Sequence, residues 1–223
     1  MKHSKSSQSG FTLVEIAIVL VIIGLLLGGV LKGQEMIENG RIKAFVALFN
    51  STSAAYNSYL DRYQAIPGDE AVATTQARGW ATTVGGNANG VLNITMANTW
   101  ANGGEEAPLW QSLRGAGFVT GDTSTVGVAA LPTTPTGGLV GVTVGPYGFT
   151  GAAGCLSGLT TKQAEGVDTQ IDGTLPATNI GNNIGSVRGD TGAAPFAPAA
   201  AVPAGTAYNS TVTVTTWTLC STL

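Results

Sequence analysis

Charged residues, histidine and cysteine are all scarce in this chain of 223 residues. Only 10% of the residues are charged, against roughly 25% in an ordinary soluble domain. Acidic side chains outnumber basic ones, 13 to 10, which argues against nucleic-acid binding through a basic face. The single histidine is His3, and without further histidines or a reactive thiol motif the usual pairs of nucleophile and general base cannot be assembled. We therefore expect neither catalytic residues nor a cofactor.

A long apolar segment near the N-terminus is the main feature that is present. The first ten residues are polar and basic, and from Phe11 to Leu31 the only polar residues are Thr12 and Glu15. A helix of this length measures about 31 Å, enough to cross the hydrocarbon core of a bilayer. Lys32 follows the segment, in place of the small residues at which a secretory signal is cleaved. We therefore expect the segment to be retained in the membrane, with the basic leader on the cytoplasmic side.

Glu15 is the unusual member of this segment, because it is ionisable and lies among apolar residues. An acidic residue at the centre of a membrane helix costs about 2.5–3.5 kcal/mol on insertion scales. Such a residue indicates a functional site by default. The sequence therefore predicts that Glu15 makes a contact that offsets this cost.

Residues 10–15 read Gly-Phe-Thr-Leu-Val-Glu, between a basic leader and an unbroken apolar helix, and resemble the N-terminus of type IV prepilins and type II secretion pseudopilins. The resemblance is strong over residues 1–31 and looser beyond them. It implies that a prepilin peptidase cuts the Gly10–Phe11 bond and N-methylates Phe11. It also implies that subunits leave the inner membrane for a filament whose core is built from their N-terminal helices. In such a core Glu15 would form an assembly salt bridge with the Phe11 amine of a neighbouring subunit.

Glycines within the apolar segment form two pairs with G-x-x-x-G spacing, Gly24 with Gly28 and Gly29 with Gly33. In a membrane helix this spacing lets a second helix approach backbone to backbone, although glycine is also simply commoner in such helices. Many type IV pilins have a proline about two thirds of the way along this segment, and this chain has none there. We expect the glycines to serve for helix packing and as the place where the helix bends or unwinds.

The remaining sequence predicts a pilin-like α+β fold. Helical spacing continues to about Tyr63 and should end before Ile66-Pro67. Patterning predicts further helices at 107–116 and 161–171, with strands at 125–131, 138–149 and 211–219. The long N-terminal helix, transmembrane in its first half and amphipathic in its second, is expected to pack on a β-rich globular domain. Its expected inward positions are Ile37, Phe45, Leu48, Thr52, Ala55, Tyr59 and Tyr63.

Four segments follow from these boundaries. Residues 1–10 form the leader that is removed, and 11–31 form the transmembrane and assembly half of the helix. Residues 32–63 form its amphipathic half, and 64–223 form the globular domain with a disulfide near the C-terminus.

Two cysteines, Cys155 and Cys220, are the only pair available for a disulfide. In an exported chain an even pair indicates a bridge, with two buried free thiols as the alternative. Asp168 and Asp172 lie one helical turn apart before Gly173 and offer two carboxylates to calcium, which some pseudopilins use near the C-terminus. Their segment lacks the alternation of a calcium loop, so we expect Asp172 at a turn, Asp168 solvated and no metal.

The function implied is that of a structural subunit, a pilin or pseudopilin, of a type IV pilus-like or type II secretion filament. The alternative is a minor pilin that acts as a tip adhesin or as a ligand- or DNA-binding module. The expected partners are copies of this chain or other pilins, a prepilin peptidase, the inner-membrane assembly platform and membrane lipid before assembly. The expected location is the bacterial inner membrane, with a single pass and a periplasmic C-terminal domain, and then a periplasmic or cell-surface filament.

Overall fold

The computed structural model describes residues 12–100, 104–173, 185–192, 198, 208 and 216–223. The chain divides into two compact units, Met1–Gly40 and Arg41–Leu223. The second unit holds the buried core, and the fold is α+β and pilin-like, as predicted.

Helix α1 runs from Leu13 to Tyr63, 51 residues without an interruption. No proline occurs within it, and it ends where Gln64 adopts the left-handed conformation, with φ of 51°. Within the second unit its buried residues are Phe45, Phe49, Thr52, Ala55, Tyr56 and Tyr59. Four of these were expected from the sequence, whereas Phe49 and Tyr56 were missed. Ile37 was expected to be inward but is 60% exposed.

Four strands among the described residues form one antiparallel sheet. They are β1 (Val140–Val144), β2 (Ala152–Leu159), β3 (Val187–Gly192) and β4 (Thr216–Thr222), arranged in the order β1-β2-β4-β3. Helix α1 packs over β2 at Gly154, where a Cβ atom would lie 3.5 Å from Cγ2 of Thr52. The core of the second unit therefore lies between α1 on one side and the sheet on the other.

Three shorter helices complete the described secondary structure besides 3-10 turns: α2 (Val72–Ala77), α3 (Glu106–Gly115) and α4 (Thr161–Asp172). Helix α4 begins with a capping box, in which the hydroxyl of Thr160 accepts the Gln163 amide and the Gln163 side chain accepts the Thr160 amide. It packs against α1 at Gly166, where a Cβ atom would lie 2.5 Å from Ile42. The sequence predicted α3 and α4 to within one residue of where they begin and end.

One predicted strand is wrong. Residues 125–131 contain a 3-10 turn, Val128–Ala130, and no strand. The alternating valines that suggested a strand are 45% exposed at Val126 and 51% exposed at Val128, so their side chains do not contribute to the core.

Candidate assembly site

Thr12 and Glu15 form a capping box at the start of α1. The backbone amide and the hydroxyl of Thr12 donate to Oε2 of Glu15 at 2.8 and 2.7 Å, and the Glu15 amide donates to the Thr12 hydroxyl at 3.3 Å. The first four amides of a helix lack partners within it, and this arrangement satisfies two donors at once. The sequence T-x-x-E before an apolar run predicts such a box. The interpretation of Glu15 as an assembly residue did not include this capping role.

The segment that follows presents its apolar side chains to the outside. From Leu13 to Leu31, 14 large apolar side chains are each 46–89% exposed. By length and composition α1 could cross a membrane, and none of its most apolar stretch is buried. Since monomeric soluble proteins rarely expose apolar patches above a few hundred Å², this surface indicates a lipid or protein environment.

The four glycines of the segment have open surroundings. A Cβ atom built on Gly24, Gly28, Gly29 or Gly33 meets nothing within 4 Å. No contact within the described chain therefore requires glycine at these positions, and a partner helix remains the predicted reason for them. Gly10 and Phe11, the residues of the predicted cleavage and methylation site, lie outside the described residues.

Cys155 and Cys220 are joined by a disulfide at the centre of the sheet. The two residues face each other in the register of β2 and β4, with Cα atoms 4.1 Å apart and both side chains fully buried. The bridge fastens the last strand to the body of the second unit.

Asp168 and Asp172 make different contacts. Asp172 accepts the amides of Ser186 and Val187 at 3.0 and 2.9 Å and thereby holds the start of β3 beside the end of α4. Asp168 was expected to be solvated but is 1% exposed and accepts the hydroxyl of Tyr208 at 2.6 Å. Burial raises its pKa to about 6. No group of three metal-ligating side chains occurs among the residues that the structure describes, and the absence of a metal at Asp168 and Asp172 stays a prediction.

A cluster around Arg78 fixes the chain that leaves α1. Arg78 binds Glu70 through two parallel hydrogen bonds, at 2.7 Å from Nη1 and 2.6 Å from Nη2, and Tyr59 of α1 donates to the same carboxylate. The guanidinium also stacks over Tyr63 at 4.5 Å and over Trp80 at 5.2 Å. The ion pair holds the Glu70 pKa below its ordinary value despite burial. Each of these groups has a partner within the fold. The cluster therefore holds the loop that follows α1 in place and is not interpreted as a ligand-binding site.

Residues 5–31 match the family model described as the prokaryotic N-terminal methylation motif. This motif is the signature of type IV pilins and pseudopilins, and the matched range contains Gly10, Phe11 and Glu15. The chain therefore carries a pilin-type N-terminus, which indicates a structural subunit rather than an enzyme. It also implies assembly with other pilins and processing by a prepilin peptidase. Among curated proteins and solved structures, none matches the chain.

Proposed function

We propose that this chain is a structural subunit, a pilin or pseudopilin, of a type IV pilus-like or type II secretion filament. A prepilin peptidase cuts the Gly10–Phe11 bond and N-methylates Phe11, and the mature subunits polymerise through α1. The observation that carries the proposal is the methylation motif over residues 5–31, continuous with a helix whose apolar side chains are exposed from Leu13 to Leu31. Before assembly the subunit crosses the inner membrane once, with Lys2 and Lys5 cytoplasmic and the second unit periplasmic.

Glu15 has one role at each stage of this proposal. In the single subunit its carboxylate caps the start of α1 through Thr12. Cleavage then creates an amine on Phe11, one helical turn away, and the same carboxylate becomes able to pair with the amine of a neighbouring subunit. Breaking a buried ion pair by deleting one partner costs roughly 3–5 kcal/mol, which is enough to set the register of assembly.

Intact-mass measurement tests the processing. The full chain is produced in cells with and without an active prepilin peptidase, and the two products are compared. We expect the active enzyme to remove residues 1–10 and to add one methyl group to the new N-terminus. A product that keeps residues 1–10 in the presence of the active enzyme would contradict the proposal.

The alternative role, a minor pilin that binds a ligand at a filament tip, is distinguished by stoichiometry. The second unit, Arg41–Leu223, makes up most of the chain and leaves room for a binding function. Quantitative mass spectrometry of sheared filaments gives the copy number. A main subunit dominates the sample, whereas a tip subunit is present in trace amounts, so the measurement decides between the two.

A further inference from the structure

The carboxylate of Asp69 binds two consecutive backbone amides in the loop that contains Asn89 and Gly90. It accepts the N–H of Asn89 at 3.0 Å and the N–H of Gly90 at 2.8 Å. Asp69 is only 5% exposed, whereas Asn89 and Gly90 are both exposed. A nearly buried carboxylate is thereby fixed on the backbone nitrogen of the residue that follows an asparagine.

The side chain of Asn89 is held at its carbonyl oxygen. Oδ1 accepts the backbone N–H of Val91 at 2.9 Å. A hydrogen bond to this oxygen stabilises negative charge that develops on it when a nucleophile adds to Cγ. Gly90 has φ of 80°, and a Cβ atom on it would meet nothing within 4 Å. The space beside Gly90 is therefore open to a reaction at its nitrogen.

We propose that Asn89 is a site of spontaneous deamidation, assisted by the carboxylate of Asp69 and the N–H of Val91. Asp69 accepts the proton of the Gly90 nitrogen as a general base, and this nitrogen forms a bond to Cγ of Asn89. The bond from Cγ to the side-chain nitrogen breaks, and ammonia leaves with the proton. Water then opens the resulting five-membered imide at either carbonyl, which gives aspartate or isoaspartate at position 89. One water is consumed and one ammonia is released in total.

The modification releases the loop from Asp69. Isoaspartate adds one carbon to the main chain between residues 89 and 90, which moves the Gly90 N–H away from the carboxylate that accepts it. A nearly buried acceptor that loses its donor destabilises the folded loop. The loop is closely packed in the unmodified chain, since a Cβ atom on Gly86 would lie 2.5 Å from Cα of Asp69. We therefore expect modified molecules to expose residues 86–91 to proteases.

The chain contains its own comparison for this reaction. The dipeptide Asn-Gly occurs at 39–40, 89–90 and 102–103, of which the last lies outside the described residues. Asn39 and Gly40 are exposed, like Asn89 and Gly90, but they lie within α1. There the backbone N–H of residue 40 belongs to the hydrogen-bond pattern of the helix. The same dipeptide is thus present with and without a carboxylate on its second nitrogen.

Incubation of the full chain in detergent at neutral pH, followed by peptide mapping, tests the proposal. Electron-transfer fragmentation locates each modified residue and separates isoaspartate from aspartate. We expect Asn89 to convert roughly tenfold faster than Asn39, or more. The same chain unfolded in guanidinium chloride gives the rate of each dipeptide without the fold. Relative to that rate, folding should speed up the conversion of Asn89 and slow down the conversion of Asn39.

Substitution of Asp69 gives the second readout. Asp69→Asn keeps the shape of the side chain and removes the proton acceptor, so we expect several-fold slower conversion of Asn89 in the folded chain and no change in guanidinium chloride. The matched control is Val91→Ala, which replaces an exposed side chain, keeps the backbone N–H and should convert like the wild type. Near-ultraviolet circular dichroism checks that Asp69→Asn is folded. If it is not, the comparison of folded and unfolded wild type still decides.

Two results would overturn the proposal. One is a rate for Asn89 in the folded chain that is equal to or below its rate in guanidinium chloride, because the fold would then give no assistance. The other is a folded Asp69→Asn variant that converts at the rate of the wild type. Limited proteolysis of the incubated chain tests the consequence: cleavage within 86–91 should be confined to converted molecules, and equal cleavage of both forms would refute the release of the loop.

Discussion

At the scale of single residues, substitutions of Thr12 and Glu15 can distinguish two explanations for the presence of a carboxylate in the apolar segment: helix capping and an assembly salt bridge. The carboxylate caps the helix in the subunit, through contacts of 2.7 and 2.8 Å from Thr12. The proposed assembly salt bridge would in addition require its negative charge. Because glutamine also serves in a capping box, the two requirements can be tested one at a time.

We predict that Glu15→Gln gives a stable, processed subunit that fails to assemble. The amide oxygen of glutamine still accepts the Thr12 donors, but the side chain has no charge to pair with an amine. Thr12→Val, in contrast, keeps the charge and removes the hydroxyl, which should cost about 1 kcal/mol of helix stability and reduce assembly only modestly. Sheared-filament yield, with membrane-bound subunit quantified by immunoblot, measures both.

Thr12→Ser is the control for this pair, since serine preserves the hydroxyl and should behave like the wild type. Normal filament yield from Glu15→Gln would show that the charge is dispensable. The carboxylate would then be explained by helix capping alone.

At the scale of elements, Glu106 joins α3 to β1. Its Oε1 accepts the indole N–H of Trp110 at 2.9 Å and the Val142 amide at 3.1 Å. The side chain is fully buried, and Oε2 makes no hydrogen bond with any residue that the structure describes. Burial penalises the charged form and raises the Glu106 pKa well above its ordinary value of 4.5.

Glu106→Gln should therefore stabilise the second unit at neutral pH. Since the folded-state pKa exceeds the unfolded one, the stabilising contribution of the neutral acid is complete below about pH 4.5 and is lost as the pH rises through the folded-state pKa. Glutamine stays neutral throughout and keeps an acceptor for both donors. We expect no difference from the wild type near pH 4 and a gain of about 1–3 kcal/mol near pH 7.5.

Urea denaturation of the full chain in detergent, followed by tryptophan fluorescence, measures this difference at each pH. Glu165→Gln is the matched control, because Glu165 is exposed on α4 and its replacement should leave the curves unchanged. A destabilised Glu106→Gln at neutral pH would mean that the carboxylate is ionised and paired in the folded protein.

Three of the four described helices and two of the four described strands, β1 and β4, were predicted from the sequence, whereas α2, β2 and β3 were missed. Helices α1, α3 and α4 show local signals: apolar spacing, a turn at Pro67, and Gly173 after the last residue of α4. Strand β2 reads AAGCLSGL and has neither alternation nor β-branched residues. This segment is a strand because it pairs with β1 on one side and with β4 on the other, not because of a local sequence pattern. Pairing of this kind is decided by distant parts of the chain.

Glycines explain why these strands look weak in the sequence. A Cβ atom on Gly141 would lie 2.5 Å from the carbonyl oxygen of Thr99, and one on Gly189 would lie 2.3 Å from Leu219. Where a neighbour lies this close, only glycine fits without a shift. The sequence then lacks the β-branched and aromatic side chains by which strands are recognised. The Asp168–Tyr208 contact was missed because its partners are 40 residues apart and share no local pattern.

At the scale of the whole molecule, the assembly signal and the folded core lie in different parts of the chain. The methylation motif and the exposed apolar segment end at Leu31, within the first compact unit, whereas the disulfide and the buried core belong to the second. The first could be predicted from the sequence because its signals are local: the methylation motif, an apolar segment of membrane length and one carboxylate within it. Substitutions in it should therefore change assembly without changing the stability of the core.

We predict this separation for Gly28→Leu. A Cβ atom at Gly28 meets nothing within 4 Å, and leucine favours a helix by roughly 0.8 kcal/mol more than glycine. Urea unfolding of the second unit should therefore be unchanged, while the added side chain prevents close approach of a neighbouring helix and lowers filament yield. Gly40→Leu adds the same side chain to α1 outside the apolar segment, also with nothing within 4 Å, and should assemble normally. If both variants assemble like the wild type, the glycines do not mediate helix packing. If Gly28→Leu also lowers the stability of the second unit, the separation of assembly from folding is wrong.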